Sequence, residues 1–393
     1  MKKLIAIAVV FALVAAGSVF AVDLGGAVIG TVDVAGADAG GDPALFNNGG
    51  TGRVRLEGSG EADIGIGTVG GWLRFDVKGG TNLGVETGGE IDINGNGKTD
   101  KGEDFSFASS GIAAGLAWWQ PISVLRLQIG VNPDGHYDAS HITRYGFYAQ
   151  ANEINSLVTA DGNWGPISSD TAIFGGYGDL HFGLIITPIE ALSINVAIPL
   201  NKGPEGDDKQ PAVAFKSALF QANYAADFGA IHVTYAGGGS GNTIGTIYGS
   251  AFLGMIENLG LEFGVGFTAK KADTGKAPVG IGLGATYDVG AFGIKLRTFL
   301  SIPLEDEEDF GVRVDVLPSF AVNDNVTIFG DLGILFAAED NFIWHVAPYV
   351  RIGSTWGPGF YAGFRMSNGA PYSITKAASG VNWAIPIGII IGF

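Results

Sequence analysis

The sequence predicts an all-β protein: a transmembrane antiparallel β-barrel of about 18 strands (16–20), closed by a final strand that ends in Phe. Three observations point there. First, the last thirteen residues alternate. Val381, Trp383, Ile385, Ile387, Ile389, Ile391 and Phe393 are large and apolar, and the residues between them are mostly small. A strand sends successive side chains to opposite faces, so this one has a greasy face and a low-profile face. Second, 47% of the chain is hydrophobic and mean hydropathy is +0.29, yet beyond Ala21 no 18 consecutive residues are apolar. The apolar residues are dispersed over alternate positions, which suits strands facing lipid. Third, charged residues fill the positions between them. Water inside a barrel solvates those charges, whereas lipid outside cannot.

Taken from the N-terminus, Lys2 and Lys3 precede an apolar run, Leu4 to Ala16, and Val19-Phe20-Ala21 suits cleavage after Ala21. This predicts a signal peptide over 1–21 and a mature chain from Val22. No linker, Pro-rich stretch or charge block divides 22–393, which is read as one barrel.

The first strand-like run is Leu24 to Val34. The second sets Val54, Leu56, Ala62, Ile64 and Ile66 on one face and Arg53, Arg55, Glu57, Ser59, Glu61 and Asp63 on the other. In the third, Leu73, Phe75 and Val77 alternate with Arg74, Asp76 and Lys78. Further runs are Phe105 to Trp118, Leu125 to Val131, Leu180 to Ile186, Leu192 to Ile198, Ala212 to Ala226, Ile231 to Tyr235, Thr243 to Ile256 and Leu259 to Phe267. Val279 to Ala285, Phe292 to Ile302, Phe310 to Phe320, Val326 to Phe336, Phe342 to Ile352, Phe360 to Met366 and the final strand complete the set. Alternation is blurred in Thr243 to Ile256 and in Tyr145 to Ala151.

Connections alternate in length. Short ones such as Asp227-Phe-Gly229, Glu257-Asn258 and Asn323-Asp-Asn325 carry turn residues. Longer ones cover about 35–51, 80–104, 132–177, 200–211, 303–309 and 367–380. Two short connections repeat: Gln120-Pro-Ile-Ser-Val-Leu and Thr187-Pro-Ile-Glu-Ala-Leu, read as shared hairpin chemistry.

Composition excludes several classes. With no Cys there is no disulfide framework or thiol chemistry. Gly is abundant, 65 residues, without a three-residue period, so collagen is excluded. A net charge of −17 argues against nucleic acid, which needs a basic footprint.

The aromatic C-terminus resembles the signal read by the assembly machinery of bacterial outer-membrane β-barrels. Short turns on one side and long loops on the other resemble the same class. The long loop 132–177 follows the fifth predicted strand, and its position resembles the lumen-entering loop of general porins. An extracellular cap is the other reading of that loop. The resemblance implies a diderm bacterium, residence in outer-membrane lipid and contact with the barrel assembly machinery. It also implies passage of small polar solutes. Homotrimer and monomer both remain open.

One loop motif is sharp. Asp92-Ile-Asn94-Gly-Asn96-Gly97-Lys98-Thr-Asp100-Lys-Gly-Glu103 resembles an EF-hand-type calcium loop. The resemblance implies structural Ca2+ held by Asp92, Asn94, Asn96, the Lys98 carbonyl, Asp100 and Glu103. Thr99 departs from the usual branched apolar residue, and the flanks read as strands instead of helices. The bland reading is an Asn/Gly-rich loop that binds nothing. A phosphate loop at Gly97-Lys98-Thr99 is rejected because position 92 is Asp.

The predicted lumen face carries Arg53, Arg55, Glu57, Glu61, Asp63, Arg74, Asp76, Lys78, Arg126, Lys295, Arg297, Arg313, Asp315, Arg351 and Arg365 as pore-lining residues. Lys216, Glu262 and Asp331 are placed there too, with His181, His232 and His345 spread over separate strands. No nucleophile–base pair or catalytic constellation emerges, so the chain is not expected to be an enzyme. The expected function is an outer-membrane porin or channel for passive diffusion of small polar or ionic solutes. The alternative is an adhesin or binding protein acting through calcium-stabilised extracellular loops. A hydrophobic-solute transporter and a soluble secreted β-sandwich are further rivals.

Overall fold

A computed structural model describes residues 21–37, 44–45, 50–81, 105–131, 180–200, 215–238, 243–270, 279–304, 310–337, 342–353, 358–368 and 380–392. Its strands, in chain order, are β1 (Ala21–Ala37), β2 (Ala44–Leu45), β3 (Gly50–Asp63), β4 (Thr68–Thr81), β5 (Phe105–Ile122), β6 (Leu125–Val131) and β7 (His181–Ile189). They continue as β8 (Leu192–Pro199), β9 (Leu219–Ala226), β10 (Gly229–Gly237), β11 (Thr243–Ile256), β12 (Leu259–Lys270), β13 (Val279–Val289) and β14 (Phe292–Ile302). The last are β15 (Gly311–Asn323), β16 (Val326–Ala337), β17 (Phe342–Gly353), β18 (Gly359–Gly363), β19 (Arg365–Ser367) and β20 (Asn382–Gly392).

From β3 to β17 each strand pairs antiparallel with the next. The first strand pairs with β3 on one side and with β20 on the other. Among the described residues no helix is long and apolar enough to cross a membrane.

Among the described residues the strands number 20, above the expected figure of about 18 and at the top of its 16–20 range. Two features account for the excess. One is β2, a two-residue strand beside the end of β1. The other is a break at Phe364 between β18 and β19. There the Phe364 N–H donates to the Pro348 carbonyl of β17 at 2.9 Å. Pro348 has no N–H to return, so the ladder loses a bond at that point. A second correction concerns Ala212 to Ala226. Phe215 and Lys216 form a helical turn, and β9 starts only at Leu219. Lys216 is exposed on that turn and is not a wall residue. The run at Tyr145 to Ala151 lies outside the described residues.

The two faces separate sharply. On β12, Leu261, Phe263, Val265 and Phe267 are exposed, while Glu262 between them is buried. On β20, Ile385, Ile389 and Ile391 are exposed, and Ala384, Pro386 and Gly388 are buried. Large apolar side chains thus cover one face of the sheet, and polar ones are packed against the other.

Among the described residues six two-residue turns sit on one edge and are tied together. The N–H groups of Thr187, Ala225, Gly254, Asp288, Ala321 and Gly353 donate to the carbonyls of Val124, Ala191, Phe228, Asn258, Ala291 and Asn325. In every case the acceptor is the second turn residue and the donor belongs to the following hairpin. The β3–β4 turn is tied by a side chain instead: the Trp119 indole donates to the Ile66 carbonyl at 3.2 Å. In that turn Gly67 has φ +110, and a Cβ there would run into the Gln120 carbonyl.

The two similar sequence turns are alike in structure. The pairs Ile122↔Leu125 and Ile189↔Leu192 close them, each after the same register shift at the X-Pro dipeptide. Proline cannot donate to a ladder, which explains why both shifts fall there.

Candidate functional site

The polar face holds three groups of side chains. The first lies on β3 and β4, where register sets Glu57 opposite Arg74, Arg55 opposite Asp76 and Arg53 opposite Lys78. The Arg74 Nε donates to Glu57 Oε1 at 2.5 Å, and Arg55 Nε lies 3.8 Å from the same oxygen. The Arg74 guanidinium also sits over the Trp72 ring, 4.9 Å from its centre. The expected positions Glu61 and Asp63 lie at the turn end of β3, both exposed. The Asp63 carboxylate accepts from the Gly65 N–H at 2.8 Å, so it shapes the turn.

The second group is uncharged and runs across β6 to β10. Gln128 Nε2 meets His181 Nε2 at 3.3 Å. Asn195 Nδ2 donates to Gln221 Oε1 at 3.0 Å, as does Asn223 Nδ2 at 3.0 Å. Gln221 Nε2 donates to Thr234 Oγ1 at 3.1 Å, and His232 Nδ1 meets Asn223 Oδ1 at 2.8 Å. Polar atoms taken out of water need such partners, and cross-strand neighbours supply them. Arg126 borders this group, its guanidinium 4.3 Å from the centre of the Trp118 ring.

The third group spans β14 to β17. Register aligns Arg297, Asp315, Gly333 and His345 in one row. Arg297, Arg313, Asp315 and Asp331 are each 1–2% exposed. Arg313 Nε lies 2.7 Å from Asp315 Oδ2, an ion pair without the alignment of a hydrogen bond. His345 Nε2 meets Asp331 Oδ1 at 2.9 Å. One donor atom from each of Asp315, Asp331 and His345 lies within 4.8 Å of the other two. Gly333 makes the cluster possible, because a Cβ there would overlap the His345 ring and crowd Asp315 Oδ1. Arg351, six residues beyond His345 on β17, is buried 5.2 Å from the centre of the Tyr361 ring, and Lys295 is half-buried one pleat from Arg297. Arg365 lies opposite Ala384 and is half-buried.

The expected calcium-loop positions Asp92, Asn94, Asn96, Lys98, Asp100 and Glu103 lie outside the described residues, as do loop 132–177 and residues 1–20 of the expected signal peptide 1–21. Backbone register sets Arg53 opposite Lys78 and Asp76 opposite Arg55. Two features escape the sequence pattern. The amide ladder is one: Gln128, Asn195, Gln221 and Asn223 share the polar face, but their mutual bonds depend on register. The other is a pair of exposed aromatic rows. Trp119, Tyr224, Tyr287, Phe292 and Phe320 stand near the short-turn edge, and Phe182, Tyr235, Phe267, Phe336 and Phe342 near the opposite one. Phe336 and Phe342 touch across β16 and β17, with ring centres 4.7 Å apart.

No family model and no curated protein matches the chain. Among solved structures, Salmonella typhi OmpF in complex with daunomycin superposes with a TM-score of 0.55 at 10% identity, over 95% of this chain and 97% of that one. Two mutant porins of Rh. blastica give TM-scores of 0.48 at 12% and 13% identity, over 95% of this chain and 100% of theirs. The likeness to OmpF shows the fold: an all-β, porin-like antiparallel sheet.

Proposed function

We propose that the chain is an outer-membrane barrel acting as a passive channel for small polar or ionic solutes. The observation that carries this reading is the division of the sheet into an exposed apolar face and a buried polar one. The ring of pairings through β1 and β20 supports closure. Phe292 and Ile302 are both exposed, ten residues apart on β14. At about 3.4 Å per residue and a tilt of about 40°, they bracket roughly 25 Å, the height of an outer-membrane apolar band. The aromatic rows stand where such barrels carry interfacial girdles.

The polar wall would select solutes by charge and hydrogen bonding. One sector is charged, with Arg297, Arg313 and Arg351 among its members. Another is neutral, with the amide ladder. Long connections on the edge opposite the tied turns would face outward. The calcium loop 92–103 belongs to one of them, and bound Ca2+ would stiffen it. Trimeric and monomeric forms are both compatible with this wall.

A second reading is favoured by one observation: polar side chains deep on the inner face, such as His181 at 0% and Arg297 at 1%, are shielded from solvent. A filled interior would make the long connections the working part, in adhesion or binding.

Conductance of the purified protein in a planar bilayer under a salt gradient separates the two. Stepwise openings are the expected result, and the reversal potential reports the sign of the selecting charge. A folded, inserted barrel that stays silent overturns the channel reading and favours the filled one.

A further inference from the structure

We propose that Asp315, Asp331 and His345 form a binding site for a first-row divalent transition metal on the polar wall of β15 to β17. This goes beyond the channel reading and does not depend on the chain conducting ions.

The donor set suits such a metal. Two carboxylates and an imidazole are the ligand types of zinc and its neighbours, and a borderline metal takes mixed oxygen and nitrogen donors that Ca2+ and Mg2+ do not prefer. Spacing suits it as well. With metal–donor bonds of about 2.0–2.1 Å, two ligands of one ion stand roughly 2.9–3.3 Å apart. His345 Nε2 and Asp331 Oδ1 are hydrogen-bonded at 2.9 Å, and one donor atom of Asp315 lies within 4.8 Å of one from each of the other two residues. All three residues are at least nine-tenths buried, so no bulk water competes for the position.

A second observation points to a ligand. Asp331 Oδ2 and Asp315 Oδ1 accept no hydrogen bond from the described residues, although the two side chains are each 1% exposed; Asp315 Oδ2 already faces the Arg313 guanidinium. Buried carboxylate oxygens in that condition are costly, and a cation removes the cost. The residue between Asp315 and His345 in the register is Gly333, and a Cβ there would crowd Asp315 Oδ1 at 2.7 Å and His345 Nδ1 at 2.8 Å. The space a side chain would take is the space Asp315 needs to close on the ion.

The neighbouring cations set the selectivity. Arg313 holds Asp315 through Oδ2, and Arg297 lies directly across from Asp315. They weaken any purely electrostatic cation site. A metal that bonds strongly to imidazole is less dependent on that balance, which is why a transition metal is expected and Ca2+ is not. Bound there, the ion would neutralise the two carboxylates and leave Arg297 and Arg313 to dominate the wall.

The test is titration of the full chain, folded in detergent micelles, with Co2+ and then Zn2+, in the presence of millimolar Ca2+ to occupy oxygen-only sites. One equivalent of Co2+ with visible d–d absorption, displaced by Zn2+, is the expected result. His345→Gln and Asp331→Asn should each weaken binding roughly tenfold or more. Arg313→Gln should tighten it, a change of sign that a purely structural cluster would not give. Absence of the one-equivalent Co2+ signal in the unmutated chain overturns the proposal whether or not the variants fold. Binding that survives both H345Q and D331N overturns it too.

Discussion

Ile391 of β20 lies directly opposite Val28 of β1, and both side chains are exposed on the apolar face. The same seam pairs Ile389 with Gly30 and Ile387 with Val32. The strand that ends the sheet therefore continues the outer surface of the one that begins it. If lipid covers this seam, a charge should cost most at mid-strand. Ile387→Arg is expected to destabilise by about 2–4 kcal/mol and Ile391→Arg, near the edge, by about 0–1 kcal/mol. Urea unfolding from lipid vesicles measures both. Equal costs at the two depths would contradict a lipid-facing seam.

Gly333 should resist substitution. Gly333→Ala drives a methyl into His345 and Asp315, and overpacking of this kind costs about 1–3 kcal/mol. The same unfolding assay applies, with Gly290→Ala as a contrast. At Gly290 a Cβ meets nothing within 4 Å, so its penalty comes from the positive φ of 58° only.

The amide ladder offers a direct probe of whether the interior is wet. Gln221→Leu removes the acceptor of Asn195 Nδ2 and Asn223 Nδ2. In a dry interior the stranded amides should cost about 1–3 kcal/mol, while in a water-filled one the loss should be near zero. A large cost would strengthen the filled-barrel reading at the expense of the channel.

In the channel reading, Arg126 and Arg351 repel cations from the wall. Arg126→Gln and Arg351→Gln together should move the reversal potential towards cation selectivity, with single-channel steps retained. An unchanged potential would mean that these guanidinium groups, each held on an aromatic ring, are structural only.

The loop 92–103 makes a separate prediction. Added Ca2+ should protect it from proteolysis with half-saturation at about 10⁻⁴–10⁻³ M, as in extracellular modules. Asp92→Ala and Glu103→Gln should abolish the protection. Equal cleavage with and without Ca2+ would leave only the bland Asn/Gly-rich loop.

Most of the sheet could be read in advance because a period of two survives almost any local irregularity. Leu261, Phe263 and Val265 announce their face without reference to neighbours. What resisted reading depends on neighbours. Phe364 breaks its strand because of Pro348 on the adjacent one. The helical turn at Phe215 lies inside a run whose composition resembles a strand. Alternation sets Asp315, Asp331 and His345 each on the polar face, but 30 residues of chain separate the outer two. Only the register of β15, β16 and β17 brings them together over Gly333. The aromatic rows are hidden for the same reason: each strand contributes one or two rings, and the line appears only across strands.

The carbonyl ties along the short-turn edge have a practical corollary. Each turn there serves as a fastener for its successor, so its length is fixed on two sides. An epitope tag, cysteine pair or extra residue inserted at Glu257-Asn258 or Asp324-Asn325 would unfasten the next hairpin as well as its own. Among the described residues the connections at the other end show no such regular series, although the Leu200 N–H donates to the Leu180 carbonyl at 2.8 Å. Growth, grafting and sequence drift of this chain should therefore accumulate at one end only, leaving the other as a template against which every new hairpin must be cut to size.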